Sequence, residues 1–258
     1  MKGNTMLTQP TIDKLISMKL TAMARAFADQ MQCPDIAQLS FEERFGLIVD
    51  SQMTDQENRR MQNRLKNARL RLSASLEDLD FKQGRGLDRS TVMSLAQNQW
   101  VQNHHNILVT GPTGAGKSYL ACALAQKACR DGYTTLYQRV PRLLQEIAVS
   151  TQDGRYNKLI GPIIKCEVLI LDDLLISPLT TTEQREILEI VEERYDRKAT
   201  IVTSQLPVKD WHNAMEDPTL ADAIMDRLVH NAYKLELKGE SMRRKRSMLD
   251  QKAKTVTV

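Results

Sequence analysis

The pattern of apolar positions changes part-way along the chain. Over residues 1–80 it is helical. Ile12, Leu15, Ile16, Leu20 and Met23 recur at three- and four-residue steps, the spacing of an amphipathic helix. Phe41, Phe45, Ile48 and Val49 repeat it after the breaker Cys33-Pro34, and Ser40 with Glu43 has the spacing of a capping box. A third helix is predicted over 54–73, and FKQGRGLD (81–88), with two glycines, reads as a linker. From 106 onward short β-rich runs alternate with helical ones. The strands are NILVT (106–110), YTTLYQRV (133–140), EVLILDDL (167–174), TIVTSQ (200–205) and YKLEL (233–237). Helices are predicted between them over 117–130, 141–149, 182–197 and 219–229. Such alternation predicts an α/β fold, a parallel sheet flanked by helices. VLIL (168–171) is apolar without alternation, as in a central strand covered on both faces. The expected division is a small all-helical N-terminal domain (1–80), a linker leading into the core (81–105), an α/β core (106–245) and a C-terminal tail (246–258).

The chemistry begins where the first strand ends. GPTGAGKS (111–118) matches G-x4-G-K-[ST] in full, between a predicted strand and a predicted helix. Such a loop brings backbone N–H groups against phosphate oxygens, an approach that a Cβ at the glycines would block. The candidate nucleotide-binding residues are Gly111, Pro112, Thr113, Gly114, Ala115, Gly116, Lys117 and Ser118, with Tyr119 following. Lys117 supplies positive charge to the β- and γ-phosphates, Ser118 offers a hydroxyl to Mg²⁺, and the helix starting there adds its positive dipole end. The matching acids close VLILDD: Asp172 is placed to hold Mg²⁺ and Asp173 to orient an attacking water. The strand at 133–140 makes the spacing between the two motifs long. That favours P-loop proteins in which another strand lies between the two motif strands.

Taken in order, GPTGAGKS, LILDDL, IVTSQLP, MDRL and GESMRR resemble an AAA+ ATPase. More narrowly, they resemble the IstB-type transposition helper ATPases and their relatives, the DnaC-type helicase loaders. RRMQNRLKNARLR and LEDLDF, ahead of the core, also resemble the IstB type, so the likeness runs over nearly the whole chain. The resemblance implies ATP and Mg²⁺ as cofactors and further catalytic residues beside Lys117, Asp172 and Asp173. Gln205 falls at the first sensor, Arg227 at an arginine finger acting on a neighbouring subunit, and Arg243, with Arg244 as rival, at the second sensor. It also implies a homo-oligomer with ATP sites between subunits, assembly on duplex DNA, and recruitment or activation of a transposase, with hydrolysis resetting the assembly. The alternative within the fold is a helicase loader acting on single-stranded DNA. Asp173 departs from the glutamate common in the family, which implies slow, partner-stimulated hydrolysis and leaves a non-hydrolysing scaffold open. Few residues follow GESMRR, so a full helical lid does not fit. A small-molecule P-loop kinase would need an acceptor site, and no such motif is visible.

Charge changes the picture in one place. The formal net charge is only +4, from 36 Lys+Arg against 32 Asp+Glu, yet residues 59–71 hold six basic residues and no acid. On a helix Arg60, Arg64 and Arg71 line up beside an apolar stripe of Met61, Leu65, Ala68 and Leu72, with Arg59, Lys66 and Arg69 further round. The arrangement suits contact with phosphate backbones and little sequence specificity. RRKR (243–246) is a second basic candidate for nucleotide, DNA or protein. Aromatic content of 5% disfavours a base-stacking platform, and Trp100 and Trp211 read as core or interface anchors. The four cysteines have no CxxC spacing, so neither a metal site nor a disulfide framework is expected. No secretory signal or membrane span is visible, and the expected location is the cytoplasm.

Overall fold

The computed structural model of the chain describes residues 5–81, 86–239 and 241–242. Arg243, Arg244 and the tail over 246–258 lie outside the described residues. The chain divides into two compact units, Met1–Asn63 and Arg64–Val258.

The first unit is helical. Helix α1 (Thr5–Ser17) packs against α2 (Thr21–Gln32), a 3₁₀ turn spans Pro34–Gln38, and α3 (Phe41–Ala68) follows. The capping box at its start forms: Ser40 N–H donates to Glu43 at 2.8 Å and Glu43 N–H donates to Ser40 Oγ at 3.2 Å. The start of α2 has no cap of its own, so the buried Gln52 supplies one. Its Oε1 accepts from the N–H groups of Ala22 and Met23, both at 3.1 Å. Two predicted helices are one here, because SQMT (51–54) holds neither glycine nor proline to interrupt it. The helix stops at Ala68, where Arg69 turns left-handed at φ 51°. Arg71 is therefore off the helix, and the predicted alignment of Arg60, Arg64 and Arg71 ends with it.

The second unit begins inside α3, not at residue 80. Beyond the helix, Ala74 and Leu76 are buried with Trp100, Ile107 and Leu120, so 69–81 is a strap on the core. The predicted linker region also holds two short helices, α4 (Arg89–Leu95) and α5 (Gln99–Gln102). The core then runs β1 (Asn106–Thr110), α6 (Lys117–Arg130), β2 (Thr135–Arg139), α7 (Val140–Gln152), α8 (Tyr156–Lys165), β3 (Val168–Leu174), α9 (Thr181–Arg194), β4 (Ala199–Ser204), α10 (Pro218–Val229) and β5 (Ala232–Glu236). Helix α8 is absent from the sequence reading because Gly161-Pro162 interrupts its pattern.

All pairings are parallel, in the order β2-β3-β4-β1-β5. The strand carrying the acids is thus separated from the strand carrying the phosphate loop by β4, as the motif spacing predicted. Strands β1 and β4 are buried along their whole length, whereas the edge strand β5 is largely exposed. The period of two divides the core. Ile107, Val109, Val168, Ile170, Ala199 and Ile201 pack on the side of α6. Leu108, Leu136, Leu169, Leu171 and Val202 pack with residues of α7, α8, α9 and α10. Trp100 and Trp211 are both buried anchors, their indole N–H groups donating to the carbonyls of Leu95 and Leu206.

Candidate nucleotide site

The same alternation aims the polar residues. Asp172 shares its parity with Ile170, so its side chain emerges on the α6 side of the sheet. Thr203 on β4 and Tyr137 and Arg139 on β2 share that side for the same reason, with Arg139 in register with Asp172. Ser118 stands in the first turn of α6. Ser118, Thr203 and Tyr137 converge on one carboxylate, that of Asp172, which has no solvent exposure. Ser118 Oγ donates to Asp172 Oδ1 at 2.7 Å and Thr203 Oγ1 to the same oxygen at 2.6 Å. Tyr137 donates its hydroxyl to Oδ2, and Arg71 Nη1 lies 3.5 Å from that oxygen. Burial, then the Asp172 carboxylate, push the Tyr137 hydroxyl pKa well up. The Tyr137 hydroxyl is the first cause raising that of Arg71.

Asp173 is handled differently. The β3–β4 register shifts between Leu171 and Leu174, and Asp173 and Leu175 both take left-handed backbone, at φ 61° and 57°. Each such residue costs on the order of 1–3 kcal/mol and is held by its surroundings. Here Asp173 N–H donates to Thr203 Oγ1 at 3.0 Å, and Arg139 Nε donates to its carboxylate at 2.8 Å. The kink turns two successive acids to different partners.

The phosphate loop rises from the end of β1. Gly111 takes φ 140°, and a Cβ there would come within 2.2 Å of the Leu237 carbonyl oxygen. Gly116, at φ 101°, begins α6 and has open space where a Cβ would stand, leaving the helix N-terminus clear for an anion. Lys117 is buried and donates its ammonium to the carbonyls of Gly111 and Pro112, at 2.8 and 3.0 Å. Thr113 Oγ1 donates to Gln205 Oε1 at 2.7 Å, tying the loop to the end of β4. Met242 N–H donates to the Gly114 carbonyl at 2.9 Å, so the stretch leading to Arg243 meets the loop as well. Pro112 is exposed, Ala115 is buried and Tyr119 is half-buried.

The oxygens of Ser118 and Asp172 are hard donors that fit Mg²⁺. Among the described residues no group of three or more His, Cys, Asp or Glu could hold a metal. A cation here would need phosphate and water to complete its shell, as Mg²⁺ ordinarily does.

Arg227 lies elsewhere. It is near the end of α10, paired with Glu192 of α9, with Nη1 donating to the Ala223 carbonyl at 3.1 Å. Its own carbonyl accepts from Asn106, the first residue of β1, at 3.1 Å. The phosphate loop leaves the other end of that five-residue strand, roughly 17 Å away. Of the basic segment, Arg60, Lys66 and Arg69 are exposed, and Arg59 is bound to Asp55 at 2.7 Å and Thr21 at 2.9 Å. Arg64 instead donates to the Cys129 carbonyl at 2.8 Å, and Arg71 lies at the acidic pair. These two do not join an outward basic face. Tyr137, Arg139 and Thr203 are missing from the sequence reading. Their one sequence signal is parity with Asp172, legible only once strand pairing is known.

A family model described as IstB-like ATP binding protein matches residues 13–250. The chain belongs to that family. An insertion sequence ATP-binding protein of Sinorhizobium fredii, y4pL, is 47% identical over 239 residues, which is 93% of this chain and 98% of the relative. The ATP-binding protein of insertion sequence IS1162 from Pseudomonas fluorescens is 41% identical, covering 78% of this chain and 88% of the relative. Among solved structures, DnaI superposes with a TM-score of 0.57 at 27% identity, covering 64% of this chain and 92% of that one. AMPPCP-bound DnaA from Aquifex aeolicus has a TM-score of 0.55 at 20% identity, over 72% of this chain and 56% of that one. This likeness concerns the fold alone, and that fold is the AAA+ type. As a member of the IstB-like family, the chain is an ATP-binding protein. No helix among the described residues is long and apolar enough to cross a membrane.

Proposed function

We propose that this IstB-like protein is an ATP-dependent helper of transposition that assembles on duplex DNA with ATP and recruits or activates a transposase. The observation that carries the reading is the joined pair of motifs, with Ser118 bound to Asp172 beside a loop whose Lys117 is buried against its own carbonyls. Its near full-length likeness to insertion sequence ATP-binding proteins supports the transposition setting.

Within the site, Lys117 and the N-terminus of α6 bind the β- and γ-phosphates, and Gln205, tied to Thr113, faces the loop from β4. Ser118 and Asp172 would hold Mg²⁺, which supplies charge neutralisation on the phosphate oxygens. Asp173 orients water for in-line attack on the γ-phosphate, and Arg139 holds that carboxylate in place. Arg227 stands a strand's length from the loop of its own chain, which favours action on a neighbour's nucleotide. Such an arginine stabilises charge developing in the transition state. Arg243 remains the proposed second sensor. DNA contact rests on Arg59, Arg60, Lys66 and Arg69, the members of the basic run not committed to the core. Hydrolysis resets the assembly.

Sizing the protein with and without ATP, with duplex or single-stranded DNA, tests the reading. The expected result is a large species requiring both ATP and duplex DNA. Assembly only on single-stranded DNA would support the helicase-loader alternative, and a constant monomer would remove both.

A further inference from the structure

The strap that follows α3 delivers a cation to the centre of the nucleotide site. Arg64 pins the last turn of the helix to the Cys129 carbonyl on α6. The chain then turns left-handed at Arg69, and the Cys122 thiol lies against the backbone of Arg71 and Leu72. This runs the strap from the later part of α6 back toward its start, where Asp172 lies. Arg71 Nη1 comes to 3.5 Å from Asp172 and 3.9 Å from Asp173. Its partners divide the Asp172 carboxylate: Oδ1 takes the hydroxyls of Ser118 and Thr203, Oδ2 the hydroxyl of Tyr137 and the guanidinium.

We infer that Arg71 is a positioning residue that competes with the divalent cation for Asp172, so that filling the nucleotide site loosens the strap at 69–81 from the core. The inference rests on the ATP-site reading above. A cation entering between Ser118 and Asp172 takes the Oδ1 side of a carboxylate whose Oδ2 side already holds a guanidinium. The carboxylate is fully buried, so water screens the two positive charges poorly and each weakens the other's hold. The guanidinium is the mobile partner. Its side chain is 43% exposed, and its contacts to the acids are longer than a bidentate hydrogen-bonded pair. The coupling is reciprocal: what displaces Arg71 also raises cation affinity.

The test compares ATP affinity in excess EDTA with that in excess Mg²⁺, for the wild-type chain, Arg71→Gln and Arg71→Lys. Arg71→Gln should enlarge the Mg²⁺ enhancement on the order of tenfold, and Arg71→Lys should return it toward wild type. In parallel, tryptic cleavage after Arg69 should be faster in Mg²⁺ and ATP than in EDTA and ATP for the wild type. In Arg71→Gln it should be fast in both. If Arg71→Gln does not fold, Arg71→Met removes the same charge from beside Oδ2 and should likewise enlarge the Mg²⁺ enhancement. An unchanged or reduced enhancement, or wild-type cleavage indifferent to Mg²⁺, overturns the inference and leaves the ATP site standing. Failure of the wild-type chain to bind ATP at all removes both.

Discussion

The two ends of the parallel sheet treat their charged residues in opposite ways. At the end where the phosphate loop emerges, Asp172 is wholly enclosed, with Ser118, Thr203, Tyr137 and Arg71 sharing its two oxygens. At the other end Arg227 keeps a 26% exposed side chain and an ion pair with Glu192, itself 53% exposed. Burial without partners would cost several kcal/mol for the carboxylate, so both of its oxygens keep partners. An exposed pair is worth about 0–1 kcal/mol, so Arg227 can exchange Glu192 for another anion at little cost. The proposed function uses that difference: the groups proposed to act within their own chain are built in, and the arginine proposed to act on a neighbour is left exchangeable.

The largest expected effect breaks that contrast if it fails. Arg227→Ala should lower hydrolysis by the assembled protein about 10³-fold. ATP affinity of the isolated chain should stay within about twofold, and stability within about 1 kcal/mol. Turnover by a dilute monomer measured beside that of the assembly checks this, and a loss of monomer ATP affinity would place Arg227 in its own chain's site. Lys117→Ala comes next, losing about 1.5–3 kcal/mol of ATP binding, or roughly 10–150-fold. Titration calorimetry reads it, and ATP-dependent assembly should vanish with it. The smallest effect concerns the basic run. Replacing Arg60, Lys66 and Arg69 together with alanine should reduce the salt slope of duplex binding by about 2.7. Arg64→Ala should leave that slope unaltered, because Arg64 is spent on the Cys129 carbonyl. Equal slopes in all three proteins would return the exposed residues to an ordinary solvated face.

The core was legible because its signals are local. NILVT, VLILDDL and TIVTS are runs of apolar and β-branched residues, and the structure carries strands over them within a residue or so. The loop GPTGAGKS announces itself because only glycine permits its backbone at Gly111 and Gly116. The basic run misleads because a helical projection assumes that the helix continues. One left-handed residue, Arg69, ends it and sends Arg71 to the acids. The boundary near 80 fails for a related reason. The glycines at 84 and 86 are a loop signal in the sequence, but Ala74 and Leu76 already belong to the core, and burial of two apolar residues leaves no periodic trace.

By itself, then, the sequence determined the α/β grammar, the phosphate loop with its acidic partner, and the presence of a strand between them. These depend on backbone preference and hydrophobic period, which act over a few residues. Tertiary structure alone decided which groups surround Asp172 and which arginines remain exposed. Tyr137, Arg139 and Thr203 reach the acids through strand register, and Arg71 reaches them through the packing of a strap without regular structure. Residues as far apart as 71 and 172 carry no mark in their own neighbourhoods of the contact they will make.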